Sequence, residues 1–94
     1  MNEQQFKTRT KQLALRVITL VEALPHTRSA DVIGKQLLRG ATSVAANYRA
    51  ACRAKSTADL IAKLSIVEEE ADETLFWLEL TVESGLMSTE NLLV

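Results

Sequence analysis

The chain has 94 residues, 47% hydrophobic and 24% charged, with a formal net charge of −1 and one cysteine, Cys52. A single domain of this length buries only roughly 60–65% of the surface its unfolded chain exposes, so self-assembly is a natural way to add stability. One cysteine excludes an intrachain disulfide and a thiolate metal cluster, no apolar run approaches the ~20 residues of a membrane span, and the polar start MNEQQFKTRTKQ has no apolar centre of an export signal, which makes the cytoplasm the expected location.

A first helix is expected over about residues 3–24. Phe6, Leu13, Val17, Leu20, Val21 and Leu24 recur at helical steps, with Lys7, Arg9, Lys11 and Arg16 off that stripe. Pro25 cannot continue the hydrogen-bond ladder and stops it. The connection through Pro25, His26, Thr27 and Arg28 is short, so the next helix should run antiparallel. His26 is the sole histidine; no metal-binding or catalytic partner stands near it in sequence, and it reads as an exposed loop residue.

Ser29 offers an N-cap for a second helix over about 29–54, with Asp31 favourable to the helix dipole. This helix has two unlike faces. Ile33, Leu37, Val44 and Tyr48, flanked by Ala41, Ala45 and Cys52, make an apolar one. Gln36, Arg39, Gly40, Ser43, Ala46, Asn47, Ala50 and Arg53 make a small, polar one. A surface helix ordinarily has one apolar stripe opposite a charged, solvated face. Small residues there, including a glycine that costs about 1 kcal/mol relative to alanine, point to a second packing partner.

Ser56 caps a third helix over about 57–84, with Asp59 three residues on as a short-armed capping box. Leu60, Leu64, Val67, Ala71, Leu75, Leu78 and Val82 form a stripe expected to face the core. A second stripe runs Lys63, Ile66, Glu70, Glu73, Trp77 and Leu80. Gly85 is the natural left-handed stop. Ser88 and Glu90 open a fourth helix over 88–94, too short to cover a groove of some 20 residues, so the chain is expected to be truncated or to borrow cover from a neighbour. The reading is all-α: one domain, 1–94, forming an antiparallel up-down four-helix bundle with a short or truncated fourth helix.

Charge is split along the chain. Residues 1–55 hold ten Lys/Arg against three acids, and residues 56–94 hold Lys63 against nine acids. Basic and acidic helices can face each other in the fold or across a subunit contact, or the basic half can meet nucleic acid. The first reading places Gln36, Arg39, Ser43, Asn47, Arg53, Lys63, Glu70, Glu73 and Trp77 at a helix or subunit interface, where an arginine fork suits a carboxylate. Lys7, Arg9, Lys11, Arg16, Arg28 and Lys35 remain as nucleic-acid candidates. The run Glu68, Glu69, Glu70, Asp72 and Glu73 invites comparison with di-metal carboxylate bundles, but those need Glu-x-x-His pairs, and the sequence has none. No nucleophile with a base and no glycine-rich phosphate loop accompanies it, so no enzyme activity and no cofactor are expected.

The pattern Q-L-x-R-x-x-x-S-x-x-A-N over Gln36 to Asn47, with E-E-x-x-E-x-x-x-W over Glu69 to Trp77, resembles the bacterial four-helix-bundle family of 23S rRNA intervening-sequence proteins. The resemblance covers most of the chain. It implies a homo-oligomer, usually a pentameric ring. It also brings in a relative similar in fold, the accessory variability protein of diversity-generating retroelements, which binds nucleic acid and partners a reverse transcriptase. The family's motif residues carry over as Gln36, Arg39, Ser43, Asn47, Arg53, Glu70 and Glu73, and nothing in the family marks them as catalytic. RNA or DNA and a protein such as a reverse transcriptase are thus the implied partners, with no membrane role.

Overall fold

The computed structural model describes residues 2–87, and among them the fold is all-α, with three helices and no strands. They are α1 (Glu3–Glu22), α2 (Arg28–Ala51) and α3 (Thr57–Glu83). The predicted fourth helix, with its Ser88 cap and Glu90, lies outside the described residues.

Local chemistry sets each boundary. Asn2 and Gln5 form a reciprocal capping box at the start of α1. At the start of α2 the cap is Thr27, not Ser29: the Thr27 hydroxyl accepts from Ala30 N–H at 3.3 Å. Thr27 has the extended backbone of an N-cap, and its C=O already accepts from Asp31 N–H at 2.9 Å, so the first helical hydrogen bond closes before Ser29 and winds that residue into the first turn. The helix ends at Ala51 with Cys52 as its C-cap, a turn short of the expected end. Ser56 Oγ caps α3 by accepting from Asp59 N–H, while Asp59 reaches back to Lys55 N–H at 3.0 Å. Past α3, Gly85 takes φ 79°. Leu86 N–H then bonds Thr81 C=O and Gly85 N–H bonds Val82 C=O, a Schellman closure that folds Leu86 back onto the core.

The central element is α2, which packs antiparallel against both α1 and α3. Leu37 and Ala41 are fully buried and, with Val17 and Ile33, form the core. A glycine marks each of the two contacts. A Cβ on Gly34 would meet Val21 Cγ1 of α1 at 3.1 Å, and one on Gly40 would collide with Thr74 Oγ1 of α3. The predicted second packing partner of α2 is therefore α3.

The face α3 uses for this contact corrects the sequence reading. Lys63, Val67, Glu70, Thr74, Trp77 and Thr81 form the buried or half-buried seam. Of the stripe expected to face the core, Val67 is buried, Leu78 packs half-buried against the core and Val82 is half-buried, but Leu60 is 37% exposed, Leu64 39% and Leu75 53%, and Ala71 is also exposed. The cause lies in the partner. Gly40, Ser43 and Asn47 of α2 leave a shallow surface that threonines fit closely and leucines would hold apart. Thr74 and Thr81 bury their hydroxyls without penalty because each donates to its own helix, to Glu70 C=O at 2.7 Å and Trp77 C=O at 2.8 Å. The leucines turn instead toward an open groove beside α1.

Candidate subunit and nucleic-acid interface

The rim of the α2–α3 seam carries the polar residues singled out by sequence. Arg39 Nη1 donates to Glu70 Oε2 at 2.8 Å, and its Nη2 lies 3.8 Å from Glu73 Oε1. Gln36 Oε1 accepts from Arg39 Nε at 3.1 Å and steadies the guanidinium. The Glu70 side chain is 18% exposed and that of Arg39 46%, so this is a screened rim pair that sets register more than it adds stability.

The other expected members are placed differently. Asn47 Nδ2 donates to Ser43 C=O at 2.9 Å and to Ser43 Oγ at 2.8 Å, so this pair closes within α2 and does not bridge to α3. Lys63 turns to its own helix, donating to both Asp59 oxygens at 2.7 and 2.6 Å. The Asp59 carboxyl is held below its ordinary value, first by Lys63 and then by Lys55 N–H. Trp77 is half-buried against the core and meets Phe76 edge-on at 5.1 Å. Arg53 is exposed and makes no ion pair among the described residues. Sequence reasoning missed Thr74 and Thr81; their signal was the heptad row they share with Val67.

The nucleic-acid candidates do not form one cluster. Lys7 is half-buried and 3.6 Å from Glu3. Arg9, Lys11, Arg16, Arg28 and Lys35 are exposed. By helical geometry Lys7 and Lys11 share one flank of α1, Arg9 and Arg16 share the other, and Arg28 and Lys35 lie on the outer side of α2. Since α1 packs chiefly on α2, its outer surface is open.

At the open end of the groove, Glu3, Tyr48, Cys52, Ser56, Leu60 and Leu64 help line a cavity of about 490 Å³. Phe6 covers Tyr48, with ring centroids 4.5 Å apart. Burial, and then the hydrogen bond with Cys52, push the Tyr48 phenol above its ordinary value. No group of His, Cys, Asp and Glu able to hold a metal ion occurs among the described residues, and no helix among them is long and apolar enough to cross a membrane.

A family model for the 23S rRNA-intervening sequence protein matches residues 2–93. The chain is also similar to a crystal structure of a protein of unknown function from the S23 ribosomal protein family of Bacteroides thetaiotaomicron VPI-5482. The two are 39% identical, with 90% of this chain and 79% of that one covered and a TM-score of 0.83. No curated protein matches the sequence.

Proposed function

The chain belongs to the 23S rRNA-intervening sequence protein family, and from that premise we propose that it is a non-enzymatic, self-assembling helical bundle that binds nucleic acid or a ribonucleoprotein through basic surfaces of the oligomer. In this reading the bundle is a four-helix one, and a further helix covers the groove beside Leu60, Leu64 and Leu75. The assembly is a closed homo-oligomer, a pentamer by likeness to the family, working in the cytoplasm.

The observation that carries this reading is the excess of cations over acids on the two flanks of α1 and the loop after it. Lys7, Arg9, Lys11, Arg16 and Arg28 are set there against Glu3 and Glu22 alone. One chain offers few phosphate contacts, but a ring repeats them, and affinity for a polyanion rises with the number of phosphates neutralised together. The test is a fluorescence-anisotropy titration of mixed RNA and DNA oligonucleotides at low salt. Saturable binding that weakens as salt rises supports the proposal, and a flat titration at low salt refutes it.

A second reading, a protein-directed scaffold with no nucleic-acid role, draws on the exposed apolar strip of α3. Exposed apolar side chains in a contiguous row mark protein contacts. A flat titration together with an assembled mass in solution would favour it.

A further inference from the structure

The outer face of α2 from Lys35 to Arg53 and the outer face of α3 carry opposite charge. On α2, Lys35, Arg39, Thr42, Ala46, Arg49 and Arg53 (the last just past the C-cap) are all exposed and fall within about 80° of the helix circumference. Before Lys35, Arg28 and Asp31, the helix's sole acid, fall on the same face and offset one another. On α3, Glu68, Asp72, Phe76, Glu79 and Glu83 are all exposed, lie on one outer face, and have no cation among them; Lys63, the helix's one cation, is in the α2 seam.

The relief matches as well as the charge. Thr42 and Ala46 leave a low gap midway along the basic row. Arg39 and Arg49 stand roughly 7.5 Å on either side of its centre, and Lys35 and Arg53 roughly 13.5 Å, at 1.5 Å per residue. Phe76, 50% exposed, is a knob in the acidic row. Asp72 and Glu79 stand roughly 6 and 4.5 Å from it, and Glu68 and Glu83 roughly 12 and 10.5 Å. Corresponding positions differ by no more than about 3 Å, within the reach of an arginine side chain.

We propose that the outer face of α2 docks on the outer face of α3 of a second copy of this chain, Phe76 filling the gap over Thr42 and Ala46. This rests on the self-assembly part of the proposed function and names its contact. Within one chain α2 and α3 are antiparallel, so copies with aligned axes bring Arg49 and Arg53 against Asp72 and Glu68, and Lys35 against Glu83, while Arg39 stays on Glu70 and Glu73 of its own chain at the edge of the contact. Each copy uses two different faces, so the contact is heterologous and builds a ring when the rotation closes. Phe76 supplies the buried anchor, and the charges select partner and register, as flanking charges do between paired helices. A polyanion would be drawn to the α2 face but repelled by the acidic face on the adjoining helix. A second copy satisfies both faces, and the near-zero net charge fits that pairing. Lys35 then belongs to the subunit contact, and the nucleic-acid reading rests on α1 and Arg28.

The test is solution mass by light scattering at low salt, with helical circular dichroism as the folding control. Arg49→Glu/Arg53→Glu and Glu68→Arg/Asp72→Arg should each fall to the mass of a single chain. An equimolar mixture of the two should regain an assembled mass, because each swapped face meets its complement on the other variant. Ala46→Trp, a change at an exposed site, should block Phe76 and lower the mass without altering helicity. Arg49→Lys/Arg53→Lys should keep the wild-type mass. If the wild type is itself a single chain, the self-assembly reading fails and this contact with it. If the wild type is assembled and the charge-reversed variants keep its mass, or their mixture shows no recovery, this contact alone is overturned. A kept mass with lost RNA binding in Arg49→Glu/Arg53→Glu would likewise overturn it and give the α2 face to nucleic acid.

Discussion

Gly40→Ala tests whether α2 and α3 are as close as described. Glycine to alanine inside a helix ordinarily stabilises by about 1 kcal/mol. Here the new Cβ would collide with Thr74 Oγ1, with Thr74 Cβ behind it at 3.5 Å. Thr74 cannot simply turn aside. Rotation about its first side-chain bond gives up the 2.7 Å bond to Glu70 C=O, and a β-branched residue has few other rotamers in a helix. Overpacking of this kind costs about 1–3 kcal/mol. The overpacking term exceeds the propensity gain, so the net expectation is a loss of about 1 kcal/mol, seen as a fall of roughly 4–8 °C in melting temperature. Thermal unfolding by circular dichroism at one fixed chain concentration reads this without a shift from mass action. The double variant Gly40→Ala/Thr74→Ala removes the colliding atom and should recover part of the loss. A Gly40→Ala protein as stable as the wild type or more so would refute the close approach.

Thr27→Ala should destabilise by about 1 kcal/mol, as loss of an N-cap does, while Ser29→Ala should leave urea unfolding unchanged; the reverse result would restore Ser29 as the cap. A double-mutant cycle of Arg39→Ala with Glu70→Gln should give a coupling of about 0.5–1 kcal/mol that shrinks in high salt, and the same cycle with Glu73→Gln should give almost none. The Asp59 carboxyl is held below its ordinary 3.8 by Lys63 and Lys55 N–H. A depressed carboxylate contributes stability that is present above its unfolded-state pKa and is lost as pH falls through the folded-state value. Thermal melts should therefore show Asp59→Ala less stable than wild type at neutral pH, with the gap narrowing in acid below the ordinary value.

The sequence makes the helices and their polarity plain because those depend on local rules. Pro25, Ser56 and Gly85 stop or start elements whatever packs on them, and the two-faced pattern of Gln36 to Arg53 is a property of one helix. The face α3 turns inward is not local. Hydropathy ranks Leu60, Leu64 and Leu75 above Thr74 and Thr81, but shape complementarity to Gly40 and Ser43 selects the threonines once their hydroxyls are bonded to their own helix. Of the polar site, the pairing of Arg39 with Glu70 and Glu73 could be anticipated from opposite charge on two facing helices. Lys63 went to Asp59 because a partner one turn away on the same helix costs less side-chain ordering than one across a seam. The Asn47–Ser43 pair closed within α2 for the same reason.

Light scattering on the purified chain, alone and with excess RNA oligonucleotide, bears most directly on the proposal that an assembled bundle binds nucleic acid. At low salt the protein alone should have the mass of several chains, and adding RNA should raise it by the mass of bound oligonucleotide, a gain that disappears at high salt. A single-chain mass, or an assembled mass that RNA leaves unchanged at low salt, would contradict the account.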